Sequence, residues 1–400
     1  MKHLKVPETF IKRLNPFRKL FSAKYHKKFS QYIFALIFMH SPVSLTRMAQ
    51  MYGYTHHTRF SRLLEEDHWS LESLLSLRQK TIRQHTQEHA GRHRHFLIID
   101  DTAAEKRGEE MEGAGYHFND KYKKAVWAHN FVTLLSLIAD MEYQEQHKFC
   151  QKTAMYRKNE DCKKYGVEFQ SKIALACKLI KDFRAPAGTR PVVLSDAWYC
   201  AAEFIRAILK KHYDYVLRLK SNRYVIYQGK KIQASQLAKL VFRSPSGRRI
   251  VKVRNNGHTY RTCLINVIIP KVGKVHLLIS KEQGRRNTRF FITNRTDWSA
   301  RQMILSYSRR FPVEQYYKEV KQLFCFKDYH VRKASAILRH IELACTAHMI
   351  LEMLRSEEKR KRSMVEIVDA VREAALEETW EEVYAMGQAA GPMTQLKMAS

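Results

Sequence analysis

The spacing of apolar positions changes character along the chain. Up to about residue 92 it is helical: Tyr32 to Met39 is an unbroken apolar run, and a short amphipathic stretch follows Ser41-Pro42 from Ser44 to Tyr52. Ser44 suits an N-cap, Gly53 ends the stretch, and Thr55 or Thr58 opens a second helix through Leu63 and Leu64. That is the layout of a DNA-reading helix-turn-helix and equally of an ordinary helical hairpin. From His95 the pattern becomes that of a buried strand, Phe96-Leu97-Ile98-Ile99, which is expected to stop at Asp100-Asp101-Thr102. Further strands are predicted over 130–138 and 148–156, a helix over 167–183, a short strand ending at Asp196, a helix over 201–211 and a strand over 213–219. Strands alternating with helices imply an α/β core. Between 221 and 287, β-branched and aromatic alternation is broken by Asn255-Asn256-Gly257 and Lys271-Val272-Gly273, which reads as a β-rich insertion. A core strand resumes at 289–293, and the rest is helical apart from Pro312. The expected organisation is a helical basic region (1–92), a core in two parts (93–220 and 288–356) around the insertion (221–287), and a helical C-terminal segment (357–400).

Charge adds a partner to this picture. Lys and Arg number 71 against 39 acids, a formal net charge of +32, so a polyanion is the first partner to consider. Residues 1–30 alone carry nine Lys or Arg against the single acid Glu8, and Arg47, Arg59 and Arg62 mark the helical hairpin as a DNA-contact candidate. The run Tyr32 to Met39 is far shorter than the roughly 20 residues a membrane span needs, and the N-terminus has no secretory pattern, so a cytoplasmic protein is expected. The seven scattered cysteines form no CxxC pair and read as small buried hydrophobes. Charge reverses between 364 and 386, where seven acids face Arg372 alone; such a helix would dock on a partner or on the chain's own basic surface.

The candidate chemistry lies in acids at strand ends. Neighbouring strand ends of an α/β sheet converge, and two carboxylates held together repel unless a cation lies between them. Hard divalent metal with oxygen ligands answers that need, and Asp101 and Asp196 are the candidates. Asp100 rivals Asp101, because adjacent residues of a strand point to opposite faces and only one can reach the metal. A third acid is Glu314: at about 100° per residue, Tyr307, Arg310, Glu314 and Lys321 share one helical face. Pro312 suits a first helical turn, so two helices should meet there with Glu314 just inside the second. Arg218, Lys220 and Arg223, at the end of the 213–219 strand, are further basic candidates for DNA.

The spacing Tyr-x2-Arg-x3-Glu-x6-Lys at Tyr307, Arg310, Glu314 and Lys321 resembles the signature of a large group of bacterial insertion-sequence transposases of the DDE superfamily. Asp101-Thr102 and the Val-Leu-Ser-Asp ending at Asp196 resemble that family's first two catalytic acids, and the following Thr selects Asp101 over Asp100. The resemblance runs from about His95 to Leu354 and implies an RNase H-like core. It further implies two Mg2+ ions, with Mn2+ able to substitute, held by Asp101, Asp196 and Glu314, while Tyr307, Arg310 and Lys321 contact the DNA backbone. The implied partners are double-stranded DNA, as transposon end and target, and a second copy of the chain in a nucleoid-associated complex. A DNA-binding regulator without catalysis and an RNase H-like nuclease that cuts without joining stand as alternatives.

Overall fold

In a computed structural model of the protein, residues 4–40, 42–65, 68–88, 93–119, 122–139, 146–243, 250–358 and 360–390 are described. Helices α1 (Glu8–Leu14), α2 (Ala23–Phe38), α3 (Leu45–Met51), α4 (Thr58–Glu65) and α5 (Leu71–Glu88) open the chain, with a 3-10 turn over Asn15–Leu20. Then come β1 (Arg94–Glu105), β2 (Gly115–Asn119), β3 (Lys124–Ala139), β4 (Gln146–Tyr156), α6 (Asn159–Tyr165), α7 (Lys172–Asp182), β5 (Val192–Ser195), α8 (Ala202–Lys210) and β6 (Asp214–Leu219). The next stretch holds β7 (Tyr224–Tyr227), β8 (Lys230–Gln233), α9 (Ala234–Arg243), β9 (Ile250–Asn255), β10 (His258–Ile269), β11 (Gly273–Glu282) and β12 (Thr288–Thr293). Helices α10 (Ala300–Ser308), α11 (Pro312–Leu323), α12 (Ala334–Glu357) and α13 (Met364–Ala390) complete the chain; residues 391–400 of the expected C-terminal segment lie outside the described residues. Two compact units result, one of Met1–Lys80, Arg107–Glu112 and Tyr317–Ser400, the other of Thr81–Lys106 and Gly113–Tyr316.

The second unit is built on one mixed sheet of 12 strands in the order β2-β3-β1-β5-β6-β12-β11-β10-β7-β8, with β4 on β3 and β9 on β10. β1 is antiparallel to β3 and parallel to β5, β5 is parallel to β6, and β12 is antiparallel to β6. Helices α7 and α8 seal one face: Leu175, Leu179, Phe204 and Ile208 join Leu97, Ile99, Val132 and Leu217 in a single buried cluster. One sequence expectation changes here. The first strand does not stop at the acidic pair but runs through it to Glu105, because β3 continues to pair with it as far as Ala128. The strands of the β-rich insertion continue the same sheet, since β12 bonds to both β6 and β11.

The first unit is helical. α12 is buried on nearly all sides, with α2, α4 and α13 packed against it, so its polar residues need internal partners. The Arg78 guanidinium pairs with the Glu342 carboxylate and donates to the Glu342 carbonyl at 2.8 Å and to Thr346 Oγ1 at 3.2 Å. His340 lies 2.7 Å from the Tyr32 hydroxyl and 2.9 Å from the Cys325 carbonyl, and His348 lies 3.0 Å from Glu319. The acid-rich helix α13 docks on the chain's own basic N-terminal segment: Lys5 donates its N–H to Thr379 Oγ1 at 3.1 Å and its Nζ lies 3.7 Å from Glu382. All seven cysteines are free thiols and six are buried. Among the described residues no helix is long and apolar enough to cross a membrane.

Candidate metal and nucleic-acid site

The run of β1 through both acids separates them. Asp100 pairs across the ladder with Thr133 and Asp101 with Val132, and successive strand residues face opposite sides of the sheet. Asp101 faces α7, where Lys172 Nζ donates to its Oδ2 at 2.7 Å, Asn130 Nδ2 to the same oxygen at 3.0 Å and the Tyr199 hydroxyl to Oδ1 at 2.9 Å. Both of its oxygens are thereby occupied. Asp100 faces the other way and accepts from Arg310 Nη1 at 3.1 Å and from the Asp101 N–H at 3.0 Å. The expectation that Asp101 would join the other acids thus meets a different arrangement: Asp100 is the acid on the side of Arg310.

Asp196 falls on that same side. The parallel register sets Ile98 beside Leu194 and Ile99 beside Ser195, where β5 ends, and the charge of the next residue, Asp196, acts on Asp100. Adjacent strands lie about 4.8 Å apart, which leaves two carboxylates as neighbours at one sheet edge. Burial, first of all, pushes the Asp100 carboxyl up to about 7; Arg310 opposes that rise, and the Asp101 and Asp196 charges add to it.

The third acid arrives by the helix junction. Ser299 and Gln302 form a capping box that starts α10, Arg310 sits in the turn after it, and Pro312 opens α11 with Glu314 in the first turn, as the sequence implied. Arg310 Nη2 donates to Glu314 Oε1 at 2.8 Å while its Nη1 holds Asp100, so one guanidinium links two of the acids. Tyr307 is buried with its ring 4.5 Å from that of Phe291, and burial above all pushes its hydroxyl up to about 12. Lys321 follows Glu314 by seven residues on the same helix, its Nζ 6.0 Å from the Tyr317 ring.

A cleft of about 1130 Å³ opens beside this cluster. Arg218, Lys220, Arg261, Arg286 and Arg289 line it together with Tyr307 and Arg310, and Glu282 is its one acid. Its walls come from β6, α9, β10, β11 and β12, so the strands read as an insertion form one side of a basic groove leading to the acids. Arg223 lies outside the lining and donates to the Cys200 carbonyl at 3.4 Å. In the helical unit Arg47 is exposed, whereas Arg59 donates to Gln31 Oε1 at 3.2 Å and stacks over Tyr54 at 4.3 Å, an internal engagement that the sequence did not signal. Sequence reading also missed Lys172, Asn130 and Tyr199, whose partnership with Asp101 joins residues 29 to 98 positions away, and Trp198, whose N–H donates to Asp196 Oδ1 at 2.9 Å and whose indole carries Lys220 at 5.1 Å.

The donors that Asp100, Asp196 and Glu314 offer on this side are carboxylate oxygens, which suit a hard divalent cation rather than a thiolate- or imidazole-bound one, although the three are not drawn to within 4.8 Å of one another. Two family models match the chain. One, described as DDE superfamily endonuclease, covers residues 16–262; the other, described as Transposase DDE domain group 1, covers residues 165–372. No curated protein matches it.

Proposed function

Because the chain belongs to the DDE superfamily of endonucleases and transposases, which use divalent metal ions, we propose that it cuts DNA at transposon ends by phosphodiester hydrolysis and joins the freed 3′-hydroxyl to target DNA. The core we read as RNase H-like, on the strength of the antiparallel β3-β1 pair continued by parallel β5 and β6 under α7 and α8. The observation that carries the reading is the side-by-side placement of Asp100 and Asp196, tied to Glu314 through Arg310, at the mouth of a basic groove.

In this reading Asp100 takes the role first expected of Asp101, and Asp100, Asp196 and Glu314 are the groups that would hold two Mg2+ ions, with Mn2+ able to replace them. Held by these residues, such a metal would lower the pKa of an attacking water or sugar hydroxyl and offset charge at the phosphorus. The protein's own groups bind and orient. Arg218 and Lys220 grip backbone phosphates, Arg218 as a bidentate fork, with Lys321 and Arg223 as further contacts, and Arg310 adds the donors that Asp100 and Glu314 leave over. Tyr307, buried against Phe291, walls the site more than it binds. Asp101 acts indirectly, fixing β1 through Lys172, Asn130 and Tyr199. In cutting, the water oxygen bonds to phosphorus as the bond to the 3′-oxygen breaks; in joining, that 3′-hydroxyl is the attacker and a target-strand oxygen leaves. Residues 1–92 supply a second DNA contact with Arg47 outward, Arg59 serving its own fold, and two copies assemble on paired ends.

Cleavage of an end-containing duplex by wild type and Asp196→Ala, each with Mg2+ and with EDTA, tests the reading. Cutting by wild type with Mg2+ alone is expected, and Mg2+ should raise the melting temperature of wild type but not of the variant. Equal binding with no cutting in any lane would identify a non-catalytic regulator, and cutting without strand joining a plain nuclease.

A further inference from the structure

β2 and the start of β3 form a hairpin at the sheet edge whose outer face is aromatic. Tyr116 is 62% exposed and Phe118 66%, Tyr116 packs edge-on against Trp127 at 5.2 Å, and Tyr122 stands half-exposed at the tip. Such rings are rarely left in water on a strand without a task. The register fixes where they point. Tyr116 pairs with Trp127 and Phe118 with Ala125, while Thr133 pairs with Asp100; 125, 127 and 133 are all odd positions of β3 and share one face. The rings therefore lie on the same face of the sheet as Asp100 and on the opposite face from Asp101. From Thr133 to Trp127 or Ala125 is six or eight residues, or about 20 to 26 Å of strand, the length of roughly six to eight base pairs.

The base of the hairpin is anchored. Gly113 has φ +87°, its N–H donates to Asp161 Oδ1 at 2.9 Å, and a Cβ there would collide with Met155 Sδ. Charge selects the occupant: Lys123 and Lys124 stand where the hairpin turns into β3, in a chain of net charge +32. Rings next to lysines, on a strand paired to the β3 that runs past the acidic residues, match the stacking platforms that hold unpaired bases while cations follow the backbone.

We infer that the Tyr116/Phe118 face of this hairpin, with Lys123 and Lys124, is a second nucleic-acid site that takes unpaired nucleotides of the substrate strand beyond the acidic cluster. Resting on the DNA-cutting reading for its direction along the substrate, the site is testable without cutting. In EDTA, anisotropy of a labelled single-stranded oligonucleotide and of a blunt duplex is followed with the full chain and two variant pairs. Tyr116→Ala with Phe118→Ala should weaken the single strand about tenfold or more and the duplex less than twofold. Tyr116→Phe with Phe118→Tyr, which keeps the rings, should bind as wild type. Lys123→Gln with Lys124→Gln should weaken both ligands and flatten the salt dependence. Unchanged single-strand affinity in the alanine pair, or no recovery in the ring-preserving pair, overturns the inference. So does a drop in the DNA-free molecular mass of the alanine pair, which would assign the face to a second copy of the chain. Loss of Mg2+-dependent cutting in wild type would instead remove the catalytic reading and leave ring-dependent binding standing.

Discussion

The two units treat buried charge in opposite ways. In the helical unit the charges named on or against α12 have dedicated partners, Arg78 with Glu342 and Arg355 with Glu352 at 2.6 Å, and the buried His348 ring lies against Glu319. In the sheet unit Asp100 and Asp196 are neighbours of like sign, and the single guanidinium of Arg310 is divided between Asp100 and Glu314. A sealed pair serves the fold, because removing one partner leaves a charge stranded in low dielectric. An under-neutralised cluster at an open edge keeps binding capacity for a cation from outside. Asp101 is the instructive intermediate: one residue from Asp100, it is paired in the manner of the helical unit.

Breaking the cluster should give the largest effect. Asp100→Asn or Glu314→Ala should lower single-turnover cleavage by about 10³-fold or more, the scale of losing a group that offsets transition-state charge, whereas Asp101→Asn should cost about tenfold at most; equal losses would erase the distinction between the neighbours. Breaking the sealed pair should act on the fold instead. Arg78→Met is expected to lower unfolding stability by about 3–5 kcal/mol in denaturant titration, with much of the loss recovered by adding Glu342→Leu.

Next in size is a pH effect at His95, whose ring lies 2.5 Å from Ser136 Oγ and which burial drives down to about 4. The unfolded chain takes up this proton from about pH 6.5 downward while the fold refuses it until about 4, so the stability is intact above 6.5 and falls through that window. The loss should reach roughly 3 kcal/mol at pH 4, and His95→Gln should flatten the curve. Smallest is Lys172→Met, expected to lower stability by about 1 kcal/mol, since its ion pair with Asp101 is partly exposed and Asn130 and Tyr199 remain; a shift above 3 kcal/mol would place Asp101 among the sealed charges.

Local chemistry made much of this legible in the sequence. Apolar runs gave the strands at 96–99, 192–195 and 214–219, Pro312 gave the helix junction, and the Tyr-Arg-Glu-Lys spacing put Arg310 next to Glu314, because these signals act within a few residues. The hairpin face was not legible, since the exposure of Tyr116 and Phe118 depends on β2 being the sheet's edge. Nor was the choice between the two aspartates. Sequence alone determined that a strand leads into acids and that one of the pair must face each way. Which one lies on the side of Arg310 was decided by β3 pairing past the acids, by the parallel register with β5 and by Lys172 arriving on α7. The reason is physical: strand parity says that neighbours diverge, but only the partners on each face of the sheet give those directions different chemistry.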